Sequence, residues 1–303
     1  MAENIEISVT TNPSKISNYI QFAKLRLASL VVFSAVICYI IASKGNISWP
    51  TIGWLTLGGF LVTAASNGFN QIIEKDLDKL MKRTMNRPLP QNRMTVPEAF
   101  VLASLMAVAG VSILWLKLNP LTGILGLIAM ILYSVVYTPL KRKTPLAVFV
   151  GAFPGALPPL IGWIGTNQVD DYSISAEALI VFAIQFMWQF PHFWAIAWRL
   201  HEDYTKAGFK MLPSPGGRDK QSAFQILLYS LFLIPVSLLP GPSQMKSGWF
   251  YAVVAIIAGA IFAWQAYTLL KKCDDASASK LMFGSFIYLP VVQLALLIDF
   301  YLK

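Results

Sequence analysis

The chain has 303 residues, of which 56% are hydrophobic and only 13% charged, with a net charge of +9. A soluble domain carries about 25% charged residues, so this composition excludes a globular enzyme on a single anchor and points to a polytopic membrane protein. The positive balance does not indicate nucleic acid, because no basic domain or reading motif is present to use it. Two cysteines, Cys38 and Cys273, lie in or beside different apolar segments, with neither metal-ligand spacing nor the pattern of a disulfide framework.

The first 18 residues are polar, contain two glutamates and lack arginine, unlike a signal or transit peptide. They read as a cytoplasmic tail on a single domain that takes up residues 1–303. Nine apolar segments follow, at about 20–43, 51–74, 96–116, 119–138, 145–165, 175–199, 222–240, 248–270 and 280–301. Each is close to the roughly 20 residues that cross a bilayer as a helix. With nine spans, 20 of the 24 Lys and Arg residues fall on one side, and only Lys44, Lys117, Lys246 and Lys303 on the other. The positive-inside rule then puts the N-terminus in the cytoplasm and the C-terminus outside. The expected fold is all-α, a bundle of nine transmembrane helices.

Between the second and third spans, residues 67–93 read NGFNQIIEKDLDKLMKRTMNRPLPQNR. If the helix runs on to Asp78, then Asn67, Asn70, Glu74 and Asp78 fall within roughly 80° of one face and Asp76 on the opposite one. Lys82, Arg83 and Arg87 follow, before Pro88 ends any helix. Carboxylates suit a hard cation such as magnesium, which keeps several waters and is completed by substrate phosphates. Arginines take phosphate oxygens in a fork. A solvated loop with incidental salt bridges would carry the same charges, but the intramembrane setting favours a metal and diphosphate site. Asn70, Glu74 and Asp78 are the expected metal ligands.

After the fourth span, Tyr137 precedes a loop with Lys141, Arg142 and Lys143, and Gly151, Gly155 and Gly162 allow close approach in the fifth. Pro154, Pro158 and Pro159 are expected to bend that span. The sixth span carries Gln185, Gln189, His192, Arg199 and Asp203 on one stripe, with a kink expected at Pro191. Charges inside a membrane cost roughly 2.5–3.5 kcal/mol each and usually face a bundle interior or a watery cavity. A stripe that merely packs helices is the alternative. Both polar clusters sit where an even-numbered span leaves the membrane, and so at the same face. Arg83, Arg87, Lys141, Arg142 and Lys206 are candidates for direct phosphate contact, with Lys82 and Tyr137 beside them.

These residues resemble the UbiA superfamily of intramembrane prenyltransferases. The first motif of that superfamily is an Asn followed by acidic residues at four-residue spacing, here Asn70, Glu74 and Asp78. The strings NQIIEKDLDKLMKRTMNRPLP, YTPLKRKTPLAVFVGAFPGALPPLIGW and QFPHFWAIAWRLHEDYTKAGFKMLP are similar to the haem-prenylating branch. Two departures stand out. Glu74 replaces the more usual Asp, and Arg199 and Asp203 occupy the region of the second acidic motif, which leaves the number of magnesium ions open. The resemblance implies a bundle around a cavity open to lipid. In it, farnesyl diphosphate gives its farnesyl group to a vinyl group of haem B, water supplies a hydroxyl, and diphosphate leaves. The product, haem O, would pass to a haem A synthase or a terminal oxidase. Asn70, Glu74, Asp78, His192, Arg199 and Asp203 would form the catalytic set. His192 would orient haem, ligate its iron or take a proton from the water. An aromatic-ring prenyltransferase and a membrane transporter are the rival readings.

Overall fold

A computed structural model describes residues 14–302 apart from 244 and 246. The remote part of the polar tail, Lys246 and Lys303 lie outside the described residues. Among those described, the regular structure is helical, with no strand. The helices are α1 (Lys15–Ala23), α2 (Leu25–Ala42), α3 (Trp49–Ile73), α4 (Lys75–Asp78), α5 (Val96–Lys117), α6 (Pro120–Ile131), α7 (Thr138–Leu140), α8 (Ala147–Ile164), α9 (Ala176–Arg199), α10 (His201–Lys206), α11 (Lys220–Ser237), α12 (Trp249–Lys272) and α13 (Asp275–Tyr301). A π-helical turn, Leu132–Tyr137, joins α6 to α7 into one rod.

Seven of these rods are long and apolar enough to cross a membrane: α2, α5, the α6–α7 rod, α8, α9, α12 and α13. The second and seventh expected spans form α3 and α11, of 25 and 18 residues. Both are helical throughout but more polar, through Asn67, Asn70 and Gln71 in α3 and Lys220, Gln221 and Gln225 in α11. Large apolar side chains such as Leu105, Val108, Trp264 and Ile287 stand exposed on the outside, the distribution a lipid-facing surface requires.

The first expected span divides. Lys24 has φ 51°, a left-handed backbone that ends α1 and starts α2. Residues 15–18 of the polar stretch are part of α1, which begins at Lys15 and buries Asn18 against Arg93. Further along, α5 begins with a capping box, in which Thr95 accepts from Glu98 N and Glu98 from Thr95 N. These reciprocal bonds satisfy two orphan donors at the helix start.

The prolines expected to bend the fifth and sixth spans do not interrupt them: α8 runs through Pro154, Pro158 and Pro159, and α9 through Pro191. Proline has no N–H for the carbonyl four residues back. The carbonyl that Pro159 leaves unpaired belongs to Gly155, and Gln185 Nε2 donates to it at 2.6 Å. A neighbouring helix thus completes what the proline removes. Around this seam α3 packs on α5, α2 on α8, α8 on α9, and α12 on α13.

Candidate functional site

At the α3 terminus the chain keeps the expected face with one irregularity. Glu74 has φ −96° and ψ 9°, which separates α3 from the single turn α4, yet Asp78 N still bonds to Glu74 O at 2.8 Å. Asn70, Glu74 and Asp78 are therefore all buried, whereas Asp76 faces outward and pairs with Lys79 at 2.9 Å. Asn70 Nδ2 donates to Glu74 Oε2 at 2.8 Å and to Thr138 Oγ1 at 3.1 Å. The π turn sets the second contact. Thr138 sends both its N–H and its hydroxyl to Tyr133 O, which leaves Oγ1 facing Asn70.

Each carboxylate already has a cation. Lys141 Nζ lies 2.6 Å from Glu74 Oε1, and Arg87 Nη1 lies 2.6 Å from Asp78 Oδ2. Lys141 also sits over the rings of Tyr137 and Phe209, at 5.0 and 5.3 Å. Burial pulls the Lys141 ammonium down from its ordinary value, and Glu74 opposes that pull. Burial likewise pushes the Asp78 carboxyl up, against the attraction of Arg87. Water is largely excluded from these pairs, so they respond strongly to any new charge placed between them.

The acidic pair is suited to a metal. Asp78 Oδ1 is buried with no hydrogen-bond partner, and a carboxylate, a second carboxylate and an amide oxygen form a hard donor set. Among the described residues no three His, Cys, Asp or Glu side chains converge. The remaining positions around a magnesium ion would thus fall to water and substrate oxygens, as is usual for that ion.

The other expected residues divide. Arg83 lies over the Tyr204 ring at 6.0 Å, and its backbone N–H donates to Asp203 Oδ2 at 3.3 Å. Asp203 therefore reaches the basic loop. Arg199 turns elsewhere: it is exposed and donates to Ser279 Oγ on α13 at 2.5 Å. Arg142 is exposed on the wall of a second hollow that it shares with Glu74, Thr138 and Lys143. Lys82 and Lys206 are exposed, and among the described residues neither pairs with Glu74 or Asp78.

One cation at this site was not among the expected candidates. Lys24 Nζ donates to Asn67 Oδ1 at 3.4 Å, and it interacts electrostatically with Arg83, Arg87, Lys141 and Asp78. Nothing in the sequence distinguishes Lys24 from a topology charge. The left-handed break between α1 and α2 is what aims it inward.

From Asn67, Tyr133 and Tyr137 a cavity runs into the bundle, with Phe33, Gly155, Gln185, Gln189 and His192 along its wall. Exposed Leu27, Leu30 and Phe286 line it where α2 faces α13. Its polar floor is built from Gln185, Ser34 and Gln293. Ser34 donates to Gln185 Oε1 at 2.6 Å and accepts from Gln293 Nε2 at 2.6 Å. His192 is buried, stacks on Trp188 at 4.4 Å and 17°, and has Nδ1 2.7 Å from Ser285 Oγ.

Comparison with known proteins fits this geometry. The chain is 47% identical to the protoheme IX farnesyltransferase of Cytophaga hutchinsonii, over 94% of this chain and 98% of that protein. It is 44% identical to the protoheme IX farnesyltransferase of Christiangramia forsetii, over 96% and 97%. Among solved structures, a digeranylgeranylglyceryl phosphate synthase superposes with a TM-score of 0.78 at 19% identity, covering 95% of this chain and 99% of that one. A UbiA homologue from Archaeoglobus fulgidus bound to GPP and Mg2+ superposes with a TM-score of 0.65 at 18% identity, covering 92% and 99%. The UbiA prenyltransferase family model matches residues 31–288. With an all-helical bundle, seven rods apolar enough for a bilayer and this match over most of its length, the chain is an integral membrane protein of the UbiA prenyltransferase family.

Proposed function

We propose that this chain transfers the farnesyl group of farnesyl diphosphate to a vinyl group of haem B, with addition of water, giving haem O and diphosphate. The observation that carries this reading is one cavity with the acid-and-cation cluster beside its mouth and His192 on its wall. The names of the most similar relatives supply the acceptor. The reaction breaks the bond between farnesyl C1 and the diphosphate oxygen and joins C1 to the outer vinyl carbon. The inner vinyl carbon, left cationic, gains the oxygen of water, and one proton is released.

Asn70, Glu74 and Asp78 would hold magnesium, which when bound neutralises charge on the departing diphosphate. Arg87 and Lys141 now neutralise Asp78 and Glu74; once those carboxylates face a cation, both are free to bind diphosphate oxygens. Lys24 and Arg83 add positive charge on the same side, and Arg142 and Lys206 are further contacts for diphosphate entering or leaving. Charge that develops on those oxygens meets cations already in place, which lowers the barrier without reorganisation. Phe33, Trp188, Phe193 and Phe286 line the cavity, and their rings offer a dry, electron-rich wall to the allylic cation. His192 faces the haem half.

In this reading one domain acts in the bacterial inner membrane, with its basic loops in the cytoplasm, and haem O passes to a haem A synthase or a terminal oxidase. A transporter would place its binding groups near the midplane, whereas the ion pairs here gather at one end of the bundle. The deciding experiment incubates purified protein with farnesyl diphosphate, magnesium and haem B. Diphosphate release and a haem O product, both absent without magnesium, are the expected result. Farnesylation of 4-hydroxybenzoate in place of haem, or no release with either acceptor, overturns it.

A further inference from the structure

The contacts of one serine on α13 determine which nitrogen of His192 is free. Ser285 Oγ lies 2.5 Å from Met282 O and 2.7 Å from His192 Nδ1. Two oxygens this close attract only if a proton lies between them, and the Ser285 hydroxyl has just one. That proton is on the side of Met282 O, so Ser285 Oγ must act as acceptor toward the imidazole. His192 therefore carries its proton on Nδ1 and keeps a lone pair on Nε2. Nε2 makes no hydrogen bond among the described residues, and the ring lines the cavity. Ser285 holds the neighbouring ring as well: Trp188 Nε1 donates to Ser285 O at 2.9 Å, and Trp188 stacks on His192. Phe286 closes the imidazole edge at 4.9 Å and 81°.

The geometry points to Ser285 as a positioning residue that presents His192 Nε2 as an axial ligand to the iron of the haem acceptor. A metal-ligating histidine characteristically donates its other ring N–H to an oxygen, which fixes the tautomer and ring orientation and raises the basicity of the ligating nitrogen. Imidazole is a common protein ligand of haem iron. Iron held at Nε2 would set the porphyrin against the wall beside Trp188 and Phe286, and so decide which part of its edge faces the diphosphate end. This inference rests on the haem reading of the cavity proposed above.

The test titrates haem B into purified full-length protein and follows the Soret band, with farnesyl diphosphate binding measured in parallel. His192→Ala should lose the spectral signature of a nitrogen axial ligand. Ser285→Ala should weaken haem binding at least about tenfold, the range for losing the outer partner of a metal ligand, and shift the band. Ser285→Thr, which keeps the hydroxyl, should restore both, and farnesyl diphosphate affinity should be the parent's in all three. If Ser285→Ala does not accumulate as folded protein, the isosteric pair Ser285→Thr and Ser285→Val makes the same comparison. Parent affinity and spectrum in Ser285→Ala or Ser285→Val, beside an altered His192→Ala, would overturn the role of Ser285 alone. A parent spectrum in His192→Ala would overturn iron ligation by His192, and haem O formation by that variant would show that the haem reading itself survives.

Discussion

Asp76 is exposed and pairs with Lys79 at 2.9 Å, while Asp78, two residues on, is buried against Arg87 at 2.6 Å. Their chemistry matches but their surroundings do not, so the pair makes an internally controlled experiment. Asp78→Asn and Glu74→Gln should each lower farnesyl transfer by about 10²–10³, the usual cost of removing one preorganised electrostatic group from an active site. Asp76→Asn should stay within about twofold, as surface changes generally do. Turnover of the three purified variants at saturating magnesium decides it, and equal losses at Asp76 and Asp78 would sink the assignment. Lys24 permits a second comparison. Its neighbour Arg26 is exposed and Lys24 is not. Lys24→Met should raise the farnesyl diphosphate Kd by about tenfold, the worth of one hydrogen bond to a charged group, and Arg26→Met should leave it unchanged. Equal Kd values for both variants would remove Lys24 from the site.

At the scale of elements, α8 lies so close to α2 that a Cβ at Gly162 would run into the backbone carbonyl of Ala35. Backbone cannot move aside as a side chain can, so Gly162→Ala must push the helices apart. Overpacking of this kind costs about 1–3 kcal/mol. Gly53, in α3, has no atom near the place a Cβ would take. Gly53→Ala should gain up to about 1 kcal/mol from helix propensity alone. Thermal unfolding in detergent should move down for the first variant and up or not at all for the second; an unchanged midpoint in Gly162→Ala, or an equal drop in both variants, would show that the α2–α8 contact is not what the glycine protects. The same contact explains what could and could not be read in advance. The glycines of α8 and the buried face of Asn70, Glu74 and Asp78 follow from local spacing, and spacing is written in the sequence. The Lys141–Glu74 pair joins residues 67 positions apart, and the tautomer of His192 depends on Ser285, 93 positions away. Such pairings come from helix packing, which residue order does not encode locally. The π turn that brings Thr138 to Asn70 leaves no periodicity signal either, and the break at Lys24 turns an apparent span into two helices.

Across the whole molecule, the ion pairs and basic loops share one end of the bundle, and their distribution carries an orientation. Seven rods meet the length and apolarity of a membrane helix by themselves. The two that do not, α3 and α11, are more polar for different reasons. α3 carries the site at its end, and α11 begins with Lys220 and Gln221, next to a loop that donates Arg218 Nε to Trp198 O. A polar helix can still cross if neighbours shield it, and α3 is packed between α2 and α5. With α3 and α11 counted as spans, the number is odd and 20 of 24 basic residues share one side. If α3 alone stopped short of crossing, every later loop would change sides, and the basic loops would divide between the two faces against the positive-inside rule. Single cysteines placed at Lys143 and at Lys303, in a chain with Cys38 and Cys273 replaced, test this directly. A membrane-impermeant thiol reagent applied to intact cells should label the cysteine at Lys303 and spare the one at Lys143 until the membrane is opened. Labelling of both from outside, or of neither, would require an even number of spans between the two sites, so that α11 would not cross and the ninth span would fall. Labelling at Lys143 with Lys303 spared would put the acid-and-cation cluster outside, as it would be if α3 did not cross.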